Sequence, residues 1–169
     1  MFSSTMIEPT DHGNPCVVHK DFGKTIETFN EAGLLAACPK LEKADWTGST
    51  WPPTIVHRKY WLMTGGYSIE LSPGVSSDDD FAMKMWFAGC RIFKGVGKSR
   101  VYHFQSKSTL RIVKNNGRKQ FLMKWGINQS TFNKHYLRRG APYTGPLTQP
   151  EDSLMKWEHM RAWLKRKIM

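Results

Sequence analysis

Long apolar runs are missing from this chain. Nothing in its 169 residues approaches the roughly 18 consecutive apolar residues that a bilayer-crossing helix needs. The opening Met1-Phe2-Ser3-Ser4 has no basic segment followed by an apolar one, so no secretory signal is expected. Cysteine is scarce. Cys16, Cys38 and Cys90 lie far apart without a C-x-x-C pair, which reads as reduced thiols in a cytosolic setting rather than a disulfide frame or a zinc site. Internal repeats and low-complexity tracts are also absent. Acidic residues are sparse in one half: residues 91–169 carry 3 Asp/Glu against 18 Lys/Arg, a balance of +15, whereas residues 1–90 carry 11 against 7, a balance of −4. The split suggests an acidic part that could hold a cation and a basic part facing an anionic partner. The plainer reading of any single Lys or Arg is solubility. What is present in quantity is apolar surface, 40% hydrophobic and 12% aromatic residues, enough for one folded domain with a core.

Periodicity and turn formers divide the chain. Residues 1–22 show no clear period, and Glu8–Pro15 is dense in turn formers. Lys24 to Ala37 reads as a helix with Ile26, Phe29, Leu34 and Leu35 on one face and Pro39 beyond its end. Asp45 to Pro53 is a loop bearing Trp46 and Trp51. Thr54–Val56 is a short strand, and a helical turn over Arg58–Met63 stops at Gly65-Gly66. A helix over Asp79–Ala88 is capped by Ser77 or Asp78, with Phe81, Met85 and Ala88 on one face and Gly89 at its stop. Arg91–Val96 and Arg100–Phe104 read as two short strands broken by Gly95 and Gly97. Helical apolar faces return with Phe121, Leu122 and Trp125 before Gly126, then with Phe132, Tyr136 and Leu137. Gly140–Pro150 is a linker, and Ser153–Met169 is an amphipathic helix.

The middle of the chain carries an ordered set of motifs. An aromatic-rich turn ends in Thr64-Gly65-Gly66-Tyr67. About ten residues on comes Ser77-Asp78-Asp79-Asp80-Phe81 at a helix start. That helix closes on Ala88-Gly89-Cys90, and a strand then ends in Tyr102-His103-Phe104. Taken singly, three aspartates are a helix cap, the glycine pair is a turn, and His103 is a half-buried histidine. In this order and spacing they resemble the C-terminal half of family 2 glycosyltransferases, over roughly Ile7 to Gly140. There a glycine pair precedes an acidic E-D-x-D motif, a helix ending in A-G, and a strand ending in histidine. Ser77 departs from that motif's first acid.

The resemblance implies an α/β protein with a partial GT-A (nucleotide-diphospho-sugar transferase) fold, a mixed sheet and C-terminal helices. Residues 1–140 would be the C-terminal half of the transferase domain, 141–152 a linker and 153–169 a basic helix. It implies transfer of a sugar from a nucleoside-diphosphate sugar to a carbohydrate or glycoconjugate hydroxyl, inverting and metal-dependent. Asp78 matches the catalytic base, with Asp79, Asp80, Trp61, Gly65, Gly66 and Tyr67 around the acceptor. His103 matches a metal ligand, and Lys98, Arg100 and Lys107 could compensate phosphate charge. The cofactor is Mn²⁺ or Mg²⁺, the imidazole favouring manganese. A carboxylate base suits deprotonation of the attacking hydroxyl. Like-charged neighbours raise its pKa and a helix N-terminus lowers it, so the sequence leaves the direction open.

No D-x-D motif precedes residue 78, so a fragment or split subunit is expected, with the nucleotide-binding half supplied separately. The alternatives are a non-catalytic subunit completing such a half, or a basic nucleic-acid-binding module. The latter is disfavoured because the acidic cluster would repel phosphate. Location is expected to be cytoplasmic. Two readings of the last helix stay open: Trp157 and Trp163 packing on the domain, which is preferred, or peripheral contact with the inner face of a membrane.

Overall fold

The computed structural model describes residues 1–48, 50–72, 75–105 and 115–168. The fold is mixed α/β. Strand β1 (Phe2–Glu8) lies at the centre of a curled sheet, parallel to β5 (Lys94–Tyr102) on one side. Its other edge is shared. β4 (Thr54–Ile55) pairs antiparallel with Phe2 and Ser3, while β2 (Val18–His19) pairs parallel with Ile7 and Glu8. β3 (Trp46–Thr47) runs antiparallel on the far side of β5.

Strand β1 occupies the segment in which the sequence shows no period. Its inward positions include Ser3 and Thr5, both buried, so the apolar alternation that marks a strand is absent. Their hydroxyls are satisfied instead. Ser3 Oγ donates to the Trp51 carbonyl at 3.0 Å. Thr5 Oγ1 donates to the Val96 carbonyl at 3.0 Å and accepts from Trp46 Nε1 at 2.9 Å.

Strand β5 corrects a second expectation, because it is one strand and not two. Its register against β1 jumps from Ser4 opposite Val96 to Thr5 opposite Arg100, so the extra residues are absorbed as a bulge. The glycines permit close approach. A Cβ on Gly95 would lie 1.9 Å from the Trp46 indole.

The helix expected over Lys24–Ala37 is confined to α1 (Glu31–Ala37), started by the Asn30 side chain. Before it, Thr28 Oγ1 accepts from the backbone N–H groups of Lys24 and Thr25, which holds a turn in place of a helix. Phe29 leaves the expected helical face to stack on Tyr102, and Ile26 and Leu35 are exposed. Helix α2 (Arg58–Thr64) ends at Gly65 in the left-handed conformation.

Helix α3 (Ser77–Phe87) buries Phe81, Met85 and Trp86 against Phe93, and its N-cap is Ser76 rather than Ser77 or Asp78. Helix α4 (Gly117–Trp125) adds Phe121 to this core and stops at Gly126. α5 (Gln129–Thr131) runs into a π-helical turn, Phe132–Tyr136. α6 (Asp152–Lys167) closes the described chain. A second apolar cluster, Met6, Cys16, Val17, Trp46 and Trp51, packs with Val101. Among the described residues no helix is long and apolar enough to cross a membrane.

Candidate active site

Successive side chains on a helix diverge by about 100°, so the three aspartates opening α3 meet three different environments. Asp80 points inward and is fully buried. Trp125 Nε1 donates to its Oδ1 at 2.8 Å, with Lys124 Nζ 2.9 Å from the same oxygen, while Ser68 Oγ donates to Oδ2 at 2.5 Å. Both oxygens have donors inside the fold, so Asp80 ties α3 to α4. Asp79 is also buried. Gln129 Nε2 donates to its Oδ2, and burial pushes its pKa up against the opposing pull of that bond and of Arg139. Its Oδ1 has no hydrogen-bond partner among the described residues.

Asp78 is the aspartate that reaches the surface. It is half-buried, and Tyr67 donates its hydroxyl to Oδ1 at 3.2 Å. Burial is the main reason that its pKa rises to about 6. Tyr67 opposes the rise and the Asp79 charge adds to it. The open direction is thereby decided in favour of desolvation. Tyr67 in turn is pushed up to about 12 by burial and by the Asp78 charge.

Beside this pair stands an aromatic platform. Tyr67 lies 5.0 Å from the Phe81 ring, and Trp61 is edge-on to Phe81 at 5.4 Å and to Tyr67 at 6.0 Å. Trp61 and Tyr67 each keep 42% of their surface in water. Gly66 has φ +66°, and a Cβ there would meet the Trp61 ring at 2.7 Å. Gly66 is therefore small in order to seat Trp61. Gly65 forms the helix stop.

At the carboxyl ends of β1 and β5, Glu8 and His103 meet. His103 Nδ1 lies 2.8 Å from Glu8 Oε1, and Gln105 Nε2 donates to Glu8 Oε2 at 2.9 Å. A carboxylate oxygen accepts, so Nδ1 is the donor of this pair, and Nε2 lies on the other side of a half-exposed ring. A carboxylate behind an imidazole is how a metal-binding histidine is commonly oriented. Among the described residues, however, no group of three or more His, Cys, Asp or Glu converges on one point. The donor set therefore does not close a divalent-cation site, and His103 offers one ligand.

Two of the three expected phosphate contacts are among the described residues. Lys98 and Arg100 line a separate cleft of about 620 Å³ with Glu42 and Lys43, and the Arg100 guanidinium is committed to the Cys38 carbonyl. Lys107 lies outside the described residues. A larger cleft of about 820 Å³ is basic. Arg118, Lys134, Arg139 and Lys165 line it together with His12, Gln129 and Asn133, without an acid among its lining residues. Gln129 joins this cleft to the first turn of α3 through its bond to Asp79.

Glu8, Gln129, Arg139 and Lys124 were thus missed. Glu8 carried a usable signal, a lone acid closing Met6-Ile7 before Pro9. Gln129 and Arg139 carried none, since only folding brings them to α3. Compared with protein-family models, curated proteins and solved structures, the chain matches none.

Proposed function

We propose that this chain is the acceptor-side part of a family 2, GT-A-type glycosyltransferase. A nucleotide-binding part would hold the donor, and the transfer would take place on the cytoplasmic side. The observation that carries the reading is the Asp78–Tyr67 pair: a half-exposed carboxylate with its pKa near 6, at a helix N-terminus beside the Trp61 ring. Such a carboxylate is mostly ionised at pH 7 yet holds a proton more firmly than an ordinary aspartate, which suits a general base. A sugar ring resting on Trp61 would present a hydroxyl to Asp78. Its proton passes to Asp78 as its oxygen bonds to the anomeric carbon of the donor, and the bond from that carbon to the nucleoside diphosphate breaks, inverting the centre. The basic cleft reached through Gln129 supports an anionic ligand nearby. Mn²⁺ or Mg²⁺ would stabilise the leaving diphosphate. It would need ligands beyond His103.

The test is release of nucleoside diphosphate from a panel of nucleotide sugars, assayed with the polypeptide that supplies the donor half. Asp78→Asn should lower kcat by about a hundredfold or more, and the wild-type rate should climb with pH through about 6. Wild-type turnover by the Asn variant would overturn the assignment.

A further inference from the structure

Helix α6 buries Met155, Glu158 and Ala162. Glu158 anchors that side, its Oε2 accepting from Thr131 Oγ1 at 2.7 Å. Met155, Glu158 and Ala162 occupy one side of the helical wheel, and Trp157, Met160, Trp163, Leu164 and Ile168 fall on the other. All five are exposed, Trp157 at 57% and Trp163 at 55%, which corrects the preferred expectation that the tryptophans pack on the domain. Lys156 and Lys167 fall within this apolar side and Arg161 beside it, all exposed, whereas Lys165 and Arg166 fall towards the docked side, Lys165 Nζ donating to Asn128 Oδ1 at 3.2 Å. The two acids of the helix are elsewhere: Asp152 opens the first turn and Glu158 sits on the docked side. Among the described residues the only ion pair made by these cations is Arg161 with Glu158, and the Lys167 ammonium lies 5.5 Å over the Trp163 ring.

We propose that α6 is an interfacial helix that seats the protein on an anionic lipid surface. Two tryptophans with Met160, Leu164 and Ile168 form a side suited to the boundary between headgroups and acyl chains, where indole rings prefer to sit. Lys156, Arg161 and Lys167 complement acidic headgroups in the same plane. Charge selects this occupant over the others. A second copy of the same face would bring six cations together, and a nucleic acid offers nothing to Met160, Leu164 and Ile168. Helix α6 is about 24 Å long at 1.5 Å per residue, so it lies along such a surface and does not span it. This proposal is independent of Asp78 chemistry and stands or falls without it.

The experiment is co-sedimentation of the full chain with vesicles of phosphatidylcholine alone and of phosphatidylcholine mixed with phosphatidylglycerol. Tryptophan emission and light-scattering mass are recorded alongside. Binding to the mixed vesicles alone is expected, with a blue shift and release by salt. In Trp157→Ser/Trp163→Ser it should weaken about tenfold or more, with the thermal midpoint unchanged because both side chains are already in water. Lys156→Glu/Lys167→Glu should weaken it as well. Equal binding by the tryptophan variant would overturn the proposal. So would failure to sediment, self-association that the tryptophan variant abolishes, or retention by an oligonucleotide and not by vesicles.

Discussion

The start of α3 and the length of α6 both concentrate charge of one sign, and the fold treats them in opposite ways. The three aspartates of α3 are wholly or half buried, and each has a hydrogen-bond donor: Tyr67 for Asp78, Gln129 for Asp79, Trp125 for Asp80. The cations of α6 stand in water. A charge withdrawn from water is costly unless partnered, so its position and partners are specified narrowly. A charge left in water is worth little locally and acts through the field it shares with its neighbours. The acidic turn is therefore built for particular contacts, and the basic helix for a surface.

Substitutions can break this contrast, and Asp80 should show the largest effect. Asp80→Ala leaves Lys124 and the Trp125 N–H without their buried acceptor and should cost about 3–5 kcal/mol in urea unfolding. A cost under about 1 kcal/mol would mean that the buried acid is no tie at all.

Asp78→Asn should act in the opposite sense and more weakly. The folded pKa of about 6 lies above the ordinary 3.8. Between those values the folded protein keeps a proton that the unfolded chain has lost, so wild-type stability falls as pH rises from about 4 to about 6. The neutral Asn variant escapes that loss. It should be more stable than wild type at pH 8, by on the order of 2 kcal/mol, with the advantage gone near pH 4. An advantage independent of pH would exclude desolvation of Asp78 as its cause. The smallest effect belongs to α6, where Lys156→Ala/Lys167→Ala should leave unfolding within about 0.5 kcal/mol of wild type while reducing vesicle binding.

Local signals made several elements legible. The acids before Phe81, the stop at Gly126 and the αL glycine after Thr64 each act over one or two turns, and α3, α4 and α2 appear where they point. Strand β1 was not legible, because its buried Ser3 and Thr5 are satisfied by Trp51, Val96 and Trp46, residues some 40 to 90 positions away. The first half of the helix expected before Ala37 failed for a local reason, the Thr28 hydroxyl competing for backbone donors. At the candidate site the aspartate triplet, Trp61 and Tyr67 could be picked out in advance. The division of labour among Asp78, Asp79 and Asp80 could not, because it depends on which neighbour each meets after a turn of 100°.

The sequence by itself determined that an acidic helix start and an aromatic turn would lie near one another in the chain, and that the second half would be basic. Those properties belong to residue type and spacing, which act locally. Tertiary structure alone decided that Asp78 faces Tyr67 with its pKa raised, that Glu8 stands behind His103, and that the tryptophans of α6 face outward. Burial and long-range partners set each of these, and neither exists until the chain has closed on itself.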